Sequence, residues 1–91
     1  MRKKVEMIML GEMMLEPMAL DLAIKALLLG DFTVPELRLV FTVILEMYVN
    51  REEVDIITVA NKLKEKGRLA EAGGAEALVD MTRMAVKENT K

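Results

Sequence analysis

Two prolines and five glycines constrain the fold of this 91-residue chain most strongly, because most of them lie between apolar stretches of helical length. Proline fits the first turn of a helix, and glycine is common just past its end. Pro17 and Pro35 therefore predict the starts of two helices. Gly30 and Gly67 predict helix ends, and Gly73-Gly74 predicts a chain reversal before a last helix.

The first two apolar stretches predict two helices of different character. The stretch from Lys3 to Leu15 has charged residues scattered around the helical wheel, so this helix needs cover on several sides. From Pro17 onward one face is apolar, and Asp21 and Lys25 are spaced as an i, i+4 ion pair opposite it. That apolar face comprises Leu20, Ala23, Ile24, Leu27 and Leu28.

The segment that begins near Pro35 has the clearest amphipathic pattern. Its polar residues Arg38, Thr42 and Glu46 recur with helical spacing. The part from Phe41 to Val49 is also rich in β-branched and aromatic residues, which favour strands. Length and the spacing of the polar positions favour a helix over a strand. The predicted inner side comprises Leu37, Val40, Phe41, Ile44 and Tyr48.

Two further helices are predicted in the C-terminal half. Asp55 is a good N-cap for a fourth helix, and a fifth follows Gly73-Gly74 with its acids early and its bases late. Short connections suit a bundle, so the predicted fold is all-α, a small orthogonal bundle of about five helices in one domain over residues 1–91. The inner sides of the last two helices comprise Ile56, Val59, Ala60, Leu63, Leu78, Met81, Ala85 and Val86.

The composition excludes several classes of function. The chain has no cysteine and no histidine, which removes disulfide scaffolds, thiolate metal sites and the commonest general base. Thirteen basic and fifteen acidic residues give a net charge of −2, so tight autonomous binding to nucleic acid is not expected. No apolar run is long enough to span a membrane, and the basic N-terminus lacks the apolar core of a secretory signal. We expect a soluble, cytoplasmic chain.

Three polar features could form a binding site, and each has a simpler structural explanation. The amides of Gly73-Gly74 could bind an anion, but a chain reversal explains the pair. The acids Glu52, Glu53 and Asp55 lack the glycine and the alternating ligands of a cation loop. The four basic residues within 62–68 are expected to form a solvated helix end. We therefore predict no catalytic residue, no cofactor and no metal site in this chain.

The methionines suggest a surface for a protein partner. Six of the nine lie in the first 18 residues, and unbranched thioether side chains can adapt their packing to a partner. Filling of the core is the alternative explanation. The all-round apolar character of the first helix favours the partner, and the predicted interface comprises Met9, Met13, Met14 and Met18.

Several motifs, in order along the chain, resemble the N-terminal domain of bacterial replicative DNA helicases of the DnaB family. The opening helix is similar to E-x-x-x-L-G-x-x-L-x-(D/E), the segment 31–41 to D-F-Y-x-P-x-H-R-x-I-F, and the segment 53–63 to P-I-D-L-V-T-V-A-x-x-L. The resemblance covers about Val5 to Met84. It marks as structural positions Leu10, Gly11, Asp31, Phe32, Pro35, Arg38, Phe41, Asp55, Thr58, Ala60, Leu63, Gly67, Gly73 and Gly74. The sequence departs from the family pattern at Thr33, Leu37, Glu53 and Ala77.

The resemblance implies a role within a larger assembly. Helicases of this family hydrolyse ATP with Mg²⁺ in a separate RecA-like domain, while their N-terminal domains form a collar that supports hexamer assembly and contacts DNA primase. The resemblance therefore implies self-association, weak for the isolated domain, and primase binding. No helicase activity, cofactor, tight DNA binding or membrane contact is expected of these 91 residues.

Two other hypotheses remain open from the sequence. One is a free-standing helical adaptor of a phage or mobile element that binds a helicase or a primase. The other is a small enzyme or ligand-binding bundle, which would require a polar constellation facing a cavity, and the sequence supplies none.

Overall fold

The chain is helical in the computed structural model, which describes residues 3–27 and 29–89. Within those residues there are five α-helices, one short 3-10 turn at Leu29–Asp31 and no strand, so the all-α prediction is confirmed. The helices are α1 (Lys3–Leu15), α2 (Pro17–Ala26), α3 (Pro35–Val49), α4 (Ile56–Glu65) and α5 (Gly74–Asn89).

Proline sets two of the helix starts, as predicted. Pro17 and Pro35 are each the first residue of a helix, where the missing N–H costs no hydrogen bond. The end of α2 differs from the prediction, because the helix stops at Ala26 and Leu27 is already extended, with φ −104° and ψ 145°. Gly30 lies further on, in the 3-10 turn. The predicted face position of Leu28 lies outside the described residues.

The third helix runs without interruption through the segment that could have formed a strand. Its inner residues recur at helical spacing and are buried, whereas Thr42 and Glu46 face solvent. A strand would place every second residue on the same side, and this pattern does not fit that period. The helix prediction is confirmed, and the buried residues of α3 are Leu37, Leu39, Val40, Phe41, Val43, Ile44 and Met47.

Helix α4 is capped at both ends. The Asp55 carboxylate accepts a hydrogen bond from the Thr58 N–H at 2.8 Å, and the Thr58 hydroxyl accepts one from the Asp55 N–H at 2.9 Å. This capping box satisfies two N–H groups at the helix start. Gly67 follows the other end with φ +69°, and its N–H donates to the Lys64 carbonyl at 3.0 Å. The predicted N-cap and helix end are both confirmed.

Helix α1 is the centre of the domain. It packs against α5, α2 and α3, and α4 lies on α3 and α5. The prediction that α1 needs cover on several sides is confirmed, and the cover comes from the chain itself. The fully buried side chains of the core include Leu10, Met13, Phe32, Val40, Phe41, Ile44, Met47, Val59, Leu63, Leu78, Met81 and Ala85.

One residue of α5 is placed differently from the sequence prediction. Leu78, Met81 and Ala85 are buried against α1, as expected. Val86 is exposed, because the next residue of a helix is turned by about 100° from Ala85 and leaves the buried side. The inner side of α5 is therefore narrower than predicted.

Gly11 lets α1 and α5 approach each other closely. A Cβ atom at this position would lie 2.0 Å from the carbonyl oxygen of Met81 and 3.0 Å from the Cβ of Ala85. The first distance is far below a van der Waals contact, and the obstacle is backbone rather than a flexible side chain. Glycine is required at this position because no side chain fits between the two helices. The backbone conformation does not require it, since Gly11 lies within the regular helix α1.

No helix among the described residues has the length and apolar character needed to cross a membrane.

The close approach at Gly11 generates a stability prediction. Gly11→Ala should lower the free energy of unfolding by about 2 kcal/mol, because the added methyl forces α5 away from α1 and outweighs the better helix propensity of alanine. Urea unfolding followed by circular dichroism measures the change.

Gly30→Ala is the matched control, because a Cβ there would meet no atom within 4 Å. This variant should unfold within about 0.5 kcal/mol of the parent. Equal stability of the two variants would contradict the close approach of the two helices.

Candidate protein-interaction surface

The outward face of α2 carries two neighbouring large apolar residues that are exposed to solvent. Met18 is 77% exposed and Leu22 is 65% exposed, and their i, i+4 spacing places them on one side of the helix. Ala26 continues the same side one turn later and is also exposed. A small helix whose solvent side is apolar is typical of a surface that contacts another protein.

Helix α2 is fixed by its inner side and by one polar contact. Leu20 is buried, and Ala23 and Ile24 pack against the core. The Tyr48 hydroxyl of α3 donates a hydrogen bond to the Asp21 carboxylate, and the Lys25 ammonium lies 3.0 Å from the same carboxylate, so the predicted ion pair is confirmed. These contacts hold the apolar outward face in place.

The same contacts favour one protonation state for this group of side chains. The hydrogen bonds from Tyr48 and Lys25 lower the pKa of Asp21. The hydrogen bond to Asp21, together with burial, raises the pKa of Tyr48. Asp21 is therefore ionised and Tyr48 neutral at physiological pH, so the contact between α2 and α3 persists there.

Three of the four basic residues around the end of α4 have acidic partners. Lys62 lies 2.9 Å from Glu52, and the hydrogen bond to Glu52 raises the pKa of Lys62. Lys66 lies 2.9 Å from Glu46 in the same way. A third pair joins Arg68 to Glu71. The bases thus do not form an uncompensated positive patch, and within residues 3–27 and 29–89 no group of acids is arranged to hold a metal ion.

The glycine pair before α5 forms the predicted chain reversal. Gly73 and Gly74 have φ values of +99° and +78°, which are unfavourable for other residues. The Gly73 N–H donates to the Ala70 carbonyl at 3.0 Å, and the Gly74 N–H donates to the Leu69 carbonyl at 2.8 Å. Both amides are used inside the turn, which confirms the reversal.

Comparisons with known proteins identify the domain. The family described as "DnaB-like helicase N terminal domain" matches residues 2–91. The chain belongs to this family.

Two relatives show how the domain compares in sequence and shape. The chain is 37% identical over 73 residues to the replicative DNA helicase DnaB of Leifsonia xyli subsp. xyli (strain CTCB07), covering 80% of this chain and 16% of that protein. It is also similar to the crystal structure of the N-terminal domain of DnaB helicase from Mycobacterium tuberculosis, with 32% identity and a TM-score of 0.86. That similarity covers 91% of this chain and 58% of the other.

The family motif around Pro35 has a structural explanation. The rings of Phe32 and Phe41 stack in the core with centroids 4.5 Å apart and an interplanar angle of 27°. The Arg38 Nε donates a hydrogen bond to the Phe32 carbonyl at 2.9 Å, which ties the turn before α3 to its first two turns. Asp31 is the last residue of the 3-10 turn and directly precedes Phe32. The motif therefore fixes how the chain enters α3.

Glu6 is a buried carboxylate whose structural role the sequence did not reveal. It has no exposed surface, and it accepts hydrogen bonds from the Thr33 N–H at 3.0 Å and from the Thr33 hydroxyl at 2.7 Å. The Val34 N–H, at the start of α3, approaches it at 3.4 Å. Thr33 stands where the family pattern has tyrosine, and here its hydroxyl binds the Glu6 side chain. Glu6 thereby joins α1 to α3.

Hydrogen bonding decides the charge of Glu6. Burial raises its pKa, but the hydrogen bonds from Thr33 and Val34 act in the opposite direction and leave the pKa below its ordinary value of 4.5. The carboxylate is therefore ionised in the folded chain at neutral pH. Its negative charge also lies near the N-terminus of α3, where the helix dipole favours it.

The structure corrects part of the predicted methionine interface. Met13 and Met14 are buried in the core, because α1 is surrounded by the chain's own helices, so assigning them to an exposed interface is wrong. Met9 is partly buried and packs against the core. Of the four predicted residues, only Met18 is largely exposed, and the sequence analysis did not include its neighbour Leu22 in the interface.

A pH-dependent prediction follows from the hydrogen bonds of Glu6. Glu6→Gln should lower the free energy of unfolding at pH 7 by about 2 kcal/mol, since an amide nitrogen replaces an acceptor that faces donors. The folded-state pKa of Glu6 lies below the unfolded value, so its stabilisation is complete above about pH 4.5 and is lost as the pH falls through the folded pKa.

The difference between the parent and Glu6→Gln should therefore narrow below about pH 4.5. Chemical unfolding at a series of pH values from 7 to 3 measures it. Glu53→Gln, at an exposed loop position, is the control and should track the parent throughout. A difference that stays constant over the series would contradict the assigned role of the Glu6 carboxylate.

Proposed function

We propose that this chain acts as the non-catalytic N-terminal domain of a replicative DNA helicase, supporting assembly of the hexamer collar and contacting DNA primase in the cytoplasm. Family membership over residues 2–91 supports the assignment. The exposed apolar side of α2, with Met18 and Leu22, is the observation that carries it. The chain spans about 16% of the length of the curated relative, which is named a replicative DNA helicase.

Protein contacts suit this surface better than nucleic acid. The net charge is −2, and three of the basic residues at the end of α4 and beyond are paired with acids. The chain has three aromatic residues. Phe32 and Phe41 are buried, and Tyr48 is held by Asp21, so these rings cannot serve as a stacking platform for bases.

Catalysis is assigned to another part of the helicase. The chain has neither histidine nor cysteine, and none of its glycines begins the G-x-x-x-x-G-K-[ST] pattern that binds nucleotide phosphates. We therefore propose that ATP and Mg²⁺ bind to the ATPase domain of a complete helicase. The purified 91-residue chain should show no ATP hydrolysis above a mock preparation.

The α2 surface generates a test of self-association. Sedimentation velocity at rising concentration should show reversible association with a dissociation constant on the order of 10 µM, because few apolar side chains are available to offset the cost of association. The double variant Met18→Ser, Leu22→Ser should weaken it at least about tenfold. Its thermal unfolding midpoint should stay near that of the parent, since both side chains are exposed.

Ile57→Ser is the matched control, because Ile57 is 69% exposed but lies on α4. It should associate like the parent. Further runs with the helicase-binding domain of the cognate primase, and with single-stranded DNA, test partner choice. A chain that stays monomeric and ignores the primase domain but binds DNA tightly at physiological salt would refute the proposal.

A further inference from the structure

A second surface feature lies between the C-terminal ends of α2 and α3. It is a cavity of about 520 Å³ lined by Ile24, Tyr48, Val49, Arg51 and Glu52. Val49 is 68% exposed, so its aliphatic side chain is accessible at the edge of the cavity. The cavity therefore combines aliphatic walls with charged groups at its edge.

Arg51 has a backbone conformation that arginine rarely adopts. Its φ is +60°, and it is the one described residue other than glycine with a positive φ. Its N–H donates to the Tyr48 carbonyl at 3.1 Å, and the Glu52 N–H donates to the Met47 carbonyl at 2.8 Å. This pattern ends a helix and usually has glycine at the position of Arg51. Strained residues of this kind cluster at functional sites.

The guanidinium of Arg51 has no partner within residues 3–27 and 29–89. The acids around the cavity are already engaged, because Glu52 pairs with Lys62 at 2.9 Å and Asp21 binds Tyr48 and Lys25. An uncompensated guanidinium thus stands beside exposed aliphatic surface. A guanidinium beside aliphatic surface has the chemistry to bind a carboxylate that lies close to an apolar group.

We infer that this cavity binds a segment of a protein partner that presents an aspartate or glutamate next to an aliphatic side chain. Arg51 binds the carboxylate through its guanidinium, and Ile24 and Val49 contact the aliphatic group. Arg51 is the only basic residue among those that line the cavity, so the site suits one carboxylate better than a polyphosphate, which needs several cations. The inference rests on the proposed role in protein interaction and adds the chemistry of one partner segment.

The experiment uses the whole chain and a pair of matched peptides. The probe is acetyl-Leu-Glu-Leu-amide, and the control probe has glutamine in place of glutamate. In ¹H–¹⁵N correlation spectra, the glutamate peptide should shift the amides of Ile24, Val49, Arg51 and Glu52. It should bind at least about fivefold more tightly than the glutamine peptide, because a charge-assisted pair replaces a neutral hydrogen bond.

Two variants separate recognition from folding. Arg51→Gly removes the guanidinium and relieves the positive φ, so it should abolish the preference for the glutamate peptide while the thermal unfolding midpoint rises. Arg51→Lys keeps the charge and should retain part of the preference. If Arg51→Gly is more stable than the parent and no longer distinguishes the two peptides, the loss of preference cannot be attributed to unfolding.

The inference is overturned if both peptides bind equally, if neither shifts these amides at 20-fold molar excess at millimolar protein, or if Arg51→Gly still discriminates. A single-stranded DNA oligonucleotide that shifts the same amides more strongly than the glutamate peptide would also overturn it. Self-association through α2 is measured separately with the Met18 and Leu22 variant. If the peptides fail to bind at the cavity but the chain still self-associates, the inference is wrong and the proposed function stands. If the chain does not self-associate but the glutamate peptide binds at the cavity, the proposed function fails and the cavity chemistry stands.

Discussion

The close approach of α1 and α5 at Gly11 is the constraint on which the rest of the domain depends. The backbone of Met81 occupies the space that a side chain at residue 11 would need, so only glycine allows this approach. The contact between α1 and α5 is the most extensive between any two helices described, and it places α1 at the centre of the bundle. Helices α2 and α3 can then cover the remaining sides of α1. This explains how a helix with little polar surface is stable in a chain of only 91 residues.

A second set of contacts fixes where the chain turns from α2 into α3. Glu6 binds the backbone and hydroxyl of Thr33, and Arg38 binds the carbonyl of Phe32. These polar groups surround the stacked pair of Phe32 and Phe41. The polar contacts give direction to an apolar core that could otherwise pack in more than one way, because each buried charge or carbonyl needs its own partner.

On the surface, most charges near the end of α4 are paired, whereas α2 exposes apolar side chains. Lys62 and Lys66 near the end of α4 are paired with acids on α3 and on the loop after it, which leaves little free positive charge for a nucleic-acid backbone. Apolar exposure is instead greatest on α2, and Arg51 provides a cation beside exposed Val49. Both features are consistent with a domain whose contacts are made with protein, as membership of the DnaB-like helicase N-terminal domain family also suggests.

The sequence by itself determined that the chain forms five helices and where most of them begin, because these signals are local, although it misplaced the end of α2. Proline at a first helical position, an aspartate at an N-cap and a glycine after a helix end each act within a few residues, so the start of α3 and both limits of α4 could be predicted. Only the tertiary structure decided which side of each helix is covered. Met13 and Met18 look alike in the sequence, yet one fills the core and the other faces solvent. That difference arises from the packing of α2, α3 and α5 around α1, and it depends on contacts between residues far apart in the chain.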